Sequence, residues 1–365
     1  MDTLHFLLMI GFCFLVSLFV TPYMIRMAHY TGAVDKPNKR KVHGKTMPRL
    51  GGLAIFIAFI LGYMVFDVKT LSYNEGQVAF FDAYLISAVL ILITGMLDDM
   101  FELPAKAKIL SQLTAAIIMV FYGNFVIDHF NIPFINIQLG WFGAVFTILW
   151  IVGITNAINL IDGLDGLSSG ISSITFATMG ILAILHQGDF FVATLCFLLL
   201  GSTLGFLPHN FFPAKIFMGD TGSLFLGFSI SVISLLGFKN AAFTSFIIPI
   251  VMLSVPIFDT GWAFIRRMLS GESPFKPDRG HVHHVLLDKN LGHVKSVLVL
   301  YAITALFSLT AVVYTLHTNF AGLVMTVICI AVVELIFNTT GVFRHKDSPD
   351  KEERQKLVKK KSTGN

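Results

Sequence analysis

Charge is scarce in this chain: Asp, Glu, Lys and Arg make up 13% of its 365 residues, against 55% hydrophobic residues. A soluble protein of that length needs far more polar surface, and a mean hydropathy of +0.76 argues against that class. Cysteine is scarcer still. Cys13, Cys196 and Cys329 all lie in apolar runs without metal-ligand spacing, so neither a disulfide framework nor a thiolate metal site is implied, and they read as packing residues. No internal repeat and no second domain is visible. Residues 1–340 therefore read as one multi-span unit, followed by a basic tail at 341–365 that is solvated, partly disordered and attracted to anionic headgroups. Its last segment, KEERQKLVKKKSTGN, lacks interleaved aromatics, which argues against a nucleic-acid partner.

What the chain has in quantity is long apolar runs. A membrane span needs roughly 20 apolar residues to cross about 30 Å of hydrocarbon. The runs at 3–25, 50–68, 79–97, 106–126, 141–157, 167–186, 190–207, 221–238, 243–265, 296–315 and 321–340 predict an all-α polytopic membrane protein of about 11 transmembrane helices. Threaded in order, the loops at 26–49, 98–108, 158–166, 208–220 and 266–295 and the tail from 341 share one face. They hold all 26 Lys and Arg except Lys69 and Lys239. Cytoplasmic loops carry this excess. The expectation is an outside N-terminus, a cytoplasmic C-terminus and a cytoplasmic active site in the inner loops. Asp2 is the only early charge and no small-residue cleavage site follows, so the first run reads as a retained helix rather than a signal peptide. The outer segment 126–141 predicts a small hairpin.

The chemistry-bearing residues crowd the same face. Carboxylates at membrane depth are costly and functional more often than not. The third run ends in GMLDDMFEL, with Asp98 and Asp99 at the inner boundary. Neighbours on a helix point about 100° apart, so one can bind a metal while the other takes a proton or positions a lysine; a solvated pair of helix-end acids is the plainer alternative. Lys106 and Lys108 face them across a short turn, either as ion-pair partners or as phosphate ligands. The segment NAINLIDGLDGLSSG carries Asn156, Asn159, Asp162 and Asp165 around two Asp-Gly pairs, a tight turn offering backbone groups and carboxylates together. In NFFPAKIFMGDTGSLFLG, Asp220 stands where a helix must start, as an N-cap or a Mg²⁺ ligand, with Phe217 upstream as a stacking platform or core residue. The largest inner loop holds Arg266, Arg267, Lys276, Arg279, His281, His283 and His284 without zinc spacing. These read as donors to a diphosphate, while the oxygen-rich acids favour Mg²⁺ or Mn²⁺. Asp259, about two turns before Arg266, reads as a structural partner of that loop. At least half of the basic residues between Lys36 and Arg49 read as topology signal. Together the inner face suggests phosphoryl transfer from a soluble nucleotide-type donor to a lipid acceptor.

Five ordered motifs, VDKPNKRKVH, LDD, NAINLIDGLDGL, FFPAKIFMGDTGS and SPFKPDRGHVHH, resemble those of the polyprenyl-phosphate N-acetylhexosamine-1-phosphate transferases, enzymes of the glycosyltransferase family 4 type. The resemblance covers nearly the whole chain. It implies a multi-pass enzyme of a bacterial cell membrane that attaches a sugar phosphate to a polyprenyl carrier and releases UMP. Within the family the chain is similar to the UDP-GlcNAc branch that starts wall teichoic acid linkage units and O-antigen-type polymers. The phospho-MurNAc-pentapeptide branch carries three consecutive histidines and then Phe-Glu, where this chain has His281-Val282-His283-His284-Val285-Leu286. The resemblance implies UDP-GlcNAc as donor, undecaprenyl phosphate as acceptor, and Mg²⁺, with Mn²⁺ as a substitute. It makes Asp220 the central metal ligand, with Asp99 beside it. Asp98 and Asp99 form the inner-face pair, one helping to deprotonate or orient the lipid phosphate. Asn159 and Asp162 line the metal and diphosphate site, Asp165 lies near the uracil, and Asn210 and Phe217 contact the nucleoside. Lys108 matches a position that is lysine or arginine in the family. His281, His283, His284 and Arg267 hold the donor's diphosphate or sugar. A homodimer is compatible with this reading. The runner-up is the MurNAc-pentapeptide transferase or a relative using another N-acetylhexosamine. A secondary transporter is the alternative of another class, and it fits worse, since its polar groups belong near the bilayer midplane.

Overall fold

The apolar runs fold as helices because, in lipid, a helix satisfies its own backbone hydrogen bonds. The computed structural model describes residues 3–35, 46–68, 75–132, 135–187, 189–239, 246–269, 271, 281–288, 291–316, 322, 324–331 and 334. The helices are α1 (Thr3–Thr31), α2 (Gly51–Val65), α3 (Glu75–Phe101), α4 (Ala105–Ile117, continued by a π turn to Tyr122), α5 (Phe142–Ile161) and α6 (Leu167–Gln187). They continue with α7 (Phe190–Asn210), α8 (Gly219–Lys239), α9 (Ile247–Met252), α10 (Ser254–Leu269), α11 (Val282–Asp288) and α12 (His293–Leu316). Residues 324–331 are helical too, and two antiparallel ribbons are present. One pairs β1 (Val34–Asp35) with β2 (Met47–Pro48), and the other pairs β3 (His129–Ile132) with β4 (Ile135–Gln138). The second is the hairpin expected in 126–141.

Eight helices among the described residues are long and apolar enough to cross a membrane. Three of the eleven expected spans account for the difference. α2 has 15 residues, short of a full crossing by length alone. The run at 243–265 is two helices, because Pro256 has no N–H to offer the carbonyl of Met252 and the chain turns at Leu253. Half of the run at 321–340 lies outside the described residues, and 324–331 are helical. The chain is thus mostly helical and polytopic.

α7 and α8 form the centre of the bundle, buried along most of their length, with α1, α2 and α6 against α7 and α3 and α5 against α8. α12 packs on α6 and α9. Several polar side chains inside this apolar core are paired. Tyr84 Oη shares a 2.8 Å hydrogen bond with Ser229, Trp150 Nε1 donates to the Ser231 carbonyl at 3.2 Å, and Asn156 and Gln112 exchange amide hydrogen bonds between α5 and α4. Asn156 is therefore an interhelical brace. Gly95 lets α3 lie against the start of α8, since a Cβ there would overlap the Asp220 carbonyl and Thr221. This crossing sets the function-bearing end of the molecule. The C-terminal ends of α3, α5 and α7 and the N-terminal ends of α2, α4, α6, α8 and α12 meet there.

Candidate functional site

The first turn of α8 is built on a carboxylate from α3. Gly219 has φ +71°, which L side chains rarely adopt, and a Cβ on it would overlap the Arg49 carbonyl and the Asp99 carboxylate. The next two amides point into Asp99. Asp220 N–H donates to Asp99 Oδ1 at 2.9 Å, and Thr221 donates its N–H (2.9 Å) and its hydroxyl (2.6 Å) to Asp99 Oδ2. The unpaired amides of a helix start carry partial positive charge, so a buried carboxylate is a fitting partner. Arg49 Nε adds an ion pair to Asp99 at 3.5 Å and Arg49 Nη1 reaches Asp35 at 3.9 Å. Both oxygens of Asp99, expected as a metal ligand and catalytic acid, are thus held by α8. The expected N-cap alternative for Asp220 is taken by Asp99 instead, which leaves the Asp220 side chain free to face other groups.

Asp220 faces Lys108. The lysine Nζ lies 2.7 Å from Asp220 Oδ2 and 3.3 Å from Asp98 Oδ2, bridging α3, α4 and α8. Asp98 Oδ1 accepts the Leu103 N–H at 2.9 Å, closing the turn between α3 and α4. The ion-pair reading of Lys108 is the one the geometry displays.

Beside this cluster opens a cavity of about 370 Å³, bordered by Asp35, Arg49, Asn159, Asp162, Asp165, Asn210, Phe212, Phe217, Asp220, His284 and His293. Asn159, in the last turn of α5, spends its amide N–H on Ser223 Oγ at 2.7 Å. Asp162 follows at the helix end with no hydrogen bond or ion pair on its carboxylate among the described residues. Burial, then the charges of Asp220 and Asp99, push its pKa up to about 8. A cation bound beside it would offset those neighbouring charges and keep the carboxylate ionised. Asp162, Asp220 and Asn159 offer hard oxygens around one cavity, the chemistry Mg²⁺ prefers. No group of three His, Cys, Asp or Glu converges among the described residues, so the fit is to an ion that keeps water or ligand oxygens.

Asp165 ties the turn to two other segments. Its Oδ2 accepts the Ala214 N–H at 3.0 Å and its own N–H donates to His293 Nε2 at 2.9 Å. The His293 ring stacks on Phe212 at 4.6 Å, forming an aromatic wall with Phe217 nearby. Asn210 borders the cavity while its amide is used internally: Oδ1 accepts from Ser169 Oγ at 2.8 Å and Nδ2 donates to the Ile216 carbonyl at 3.1 Å.

The three histidines do three different things. His281 Nδ1 lies 2.8 Å from Asp259 Oδ2, and the Val282 N–H donates to the other oxygen of Asp259 at 2.7 Å. Asp259 is thereby a structural partner of the histidine loop. His283 is buried against Gly163, and burial, then His284, push its pKa down to about 3, so its ring is neutral. His284 borders the cavity, whereas Arg267, on α10, and His281 do not. Arg49, Asp35, Phe212 and His293 do border it without having been singled out from sequence. Arg49 sits inside a basic loop whose charge already had a topological explanation, and His293 meets Asp165 across 128 residues of chain.

The profile of Glycosyl transferase family 4 matches residues 81–238. A Bacillus subtilis (strain 168) protein named as a probable undecaprenyl-phosphate N-acetylglucosaminyl 1-phosphate transferase is 45% identical over 349 residues, 95% of each chain. A Haemophilus influenzae undecaprenyl-phosphate alpha-N-acetylglucosaminyl 1-phosphate transferase is 34% identical, covering 79% of this chain and 81% of its own. A Listeria monocytogenes phospho-N-acetylmuramoyl-pentapeptide-transferase is 38% identical over 60% of this chain and 70% of its own.

Proposed function

Since the chain belongs to glycosyl transferase family 4, among the polyprenyl-phosphate N-acetylhexosamine-1-phosphate transferases, we propose that it moves GlcNAc 1-phosphate from UDP-GlcNAc to undecaprenyl phosphate. The products are undecaprenyl-diphospho-GlcNAc and UMP, in the first membrane step of a cell-envelope polysaccharide of the teichoic acid type. The enzyme works at the cytoplasmic face of a bacterial cell membrane. The observation that carries this reading is the juxtaposition of Asp162, unpartnered among the described residues, the Lys108-paired Asp220 and an aromatic wall around one cavity at the helix ends.

An oxygen of the acceptor phosphate bonds to the β-phosphorus of the donor. The bond from that phosphorus to the oxygen bridging to the α-phosphorus breaks, and its electron pair leaves on UMP. Asp220, Asp162 and the carbonyl oxygen of Asn159 would hold Mg²⁺, or Mn²⁺ in its place, which when bound neutralises phosphate oxygens. Lys108, fixed between Asp98 and Asp220, offsets the negative charge gathered as two phosphorylated substrates enter. His284 meets the donor's sugar or diphosphate. Phe212, Phe217, and the Asp165-bound His293 frame the flat base, and Asn210 keeps that wall in shape.

Purified protein given undecaprenyl phosphate, Mg²⁺ and a panel of UDP-sugars is expected to release UMP with UDP-GlcNAc and to stop when the metal is chelated. UMP release only with UDP-MurNAc-pentapeptide would move the chain to the other branch.

A further inference from the structure

Among the described residues, the cavity is short of positive charge. Four carboxylates border it, from Asp35, Asp162, Asp165 and Asp220, and Arg49 is the one Lys or Arg among the described residues that does so. Of the basic groups expected at a diphosphate, His284 borders the cavity, while Lys108 is paired with Asp98 and Asp220 and neither Arg267 nor His281 borders it. Even with a divalent cation bound, a nucleoside diphosphate entering here needs a donor-rich partner.

Arg49 is built into place. Its N–H donates to the Ala33 carbonyl at 3.0 Å, and the residues on either side pair with the segment leading to α8. Phe217 N–H donates to Pro48 at 2.8 Å, and Gly51 N–H donates back to Phe217 at 3.1 Å. The guanidinium is then aimed by two carboxylates at ion-pair distances of 3.5 Å and 3.9 Å, both long for such contacts. An arginine has five N–H donors in a planar fork that matches phosphate oxygens. Two long contacts leave most of that capacity unspent, on a side chain that is 24% exposed toward the cavity.

We propose that Arg49 is a substrate-binding residue that grips the diphosphate of the nucleotide-sugar donor, with Asp99 and Asp35 orienting its guanidinium. This rests on the functional reading above and adds to it a phosphate-specific contact from the β2–α2 junction. The same Asp99 that holds the start of α8 would then also aim the arginine, so the metal-facing carboxylate and the phosphate-binding cation share one anchor.

The test compares binding of uridine, UMP, UDP and UDP-GlcNAc to wild type, Arg49→Gln and Arg49→Lys in lipid nanodiscs with Mg²⁺, by calorimetry. Wild-type affinity is expected to rise along that series. In Arg49→Gln, UDP and UDP-GlcNAc should weaken roughly 10- to 100-fold, the worth of hydrogen bonds to a charged group, while uridine binds as before. Arg49→Lys keeps a cation opposite Asp99 and should fold if the Gln variant does not; it should show a smaller loss confined to the phosphorylated ligands. Equal weakening of uridine and UDP-GlcNAc would make Arg49 a structural brace and overturn the inference, as would variants that keep the wild-type rise. A wild-type protein showing no rise from uridine to UDP-GlcNAc would overturn the functional reading and this inference with it.

Discussion

Thr221 gives both its backbone N–H and its hydroxyl to a single oxygen of Asp99, at 2.9 Å and 2.6 Å. The α3 carboxylate therefore fixes the height and rotation of α8 next to Asp220. Thr221→Val keeps the amide contact and removes the hydroxyl one. It should cost about 1.5–3 kcal/mol, seen as a lower melting temperature. It should also cut turnover through misplacement of Asp220, at nearly unchanged KM for UDP-GlcNAc. A variant as stable and active as wild type would show that the Thr221 hydroxyl takes no part in the anchoring.

Asp220→Asn preserves the backbone amide held by Asp99 while discharging the side chain. UMP release should fall by about 100-fold or more even at saturating Mg²⁺, the scale of losing one charge-stabilising group. Normal turnover under those conditions would show that the metal assignment is wrong.

Lys108 serves two acids at once, so its loss and theirs cannot be independent. In a double-mutant cycle of Asp98→Asn and Lys108→Gln, the combined loss in kcat/KM should differ from the sum of the single losses by roughly 0.5–3 kcal/mol. Simple additivity would mean that the 3.3 Å contact carries no function.

His283 supplies a pH dependence of stability. Its folded pKa, about 3, lies below the ordinary 6.5, so below that ordinary value the unfolded chain binds a proton that the folded chain refuses. Its contribution is fully present above about pH 6.5 and is lost as pH falls toward 3. Thermal melts should show a steeper acid-side decline in wild type than in His283→Gln, and parallel curves would contradict the buried neutral ring.

Much of this was legible in the sequence, for physical reasons. The helices announce themselves by uninterrupted apolar length, and the hairpin at 129–138 by its place between two such runs. Asp162, Asp165 and Asp220 stand out because carboxylates beside glycines at helix ends are costly without a purpose. The break at Leu253 was hidden because Pro256 lies in a stretch whose hydropathy does not change across it. The division of labour among His281, His283 and His284 was hidden as well, since it depends on Asp259 and Gly163 arriving from distant segments. Arg49 was masked by its neighbours' charge. The family resemblance implied Asn210 as a nucleoside contact; its hydrogen bonds to Ser169 and to the Ile216 carbonyl depend on distant segments and were not legible.

The pairing of Pro48 and Gly51 with Phe217 has a consequence in time. The Pro48 carbonyl and the Gly51 and Gly52 N–H groups meet their partners only once Phe217 and Met218 have been synthesised. At about 5–20 residues per second, the earlier segment waits roughly 10–30 s on the ribosome before the wall bearing Arg49 can close. During that interval several apolar helices have already emerged, so the cavity is among the last parts of the molecule to form during its own synthesis.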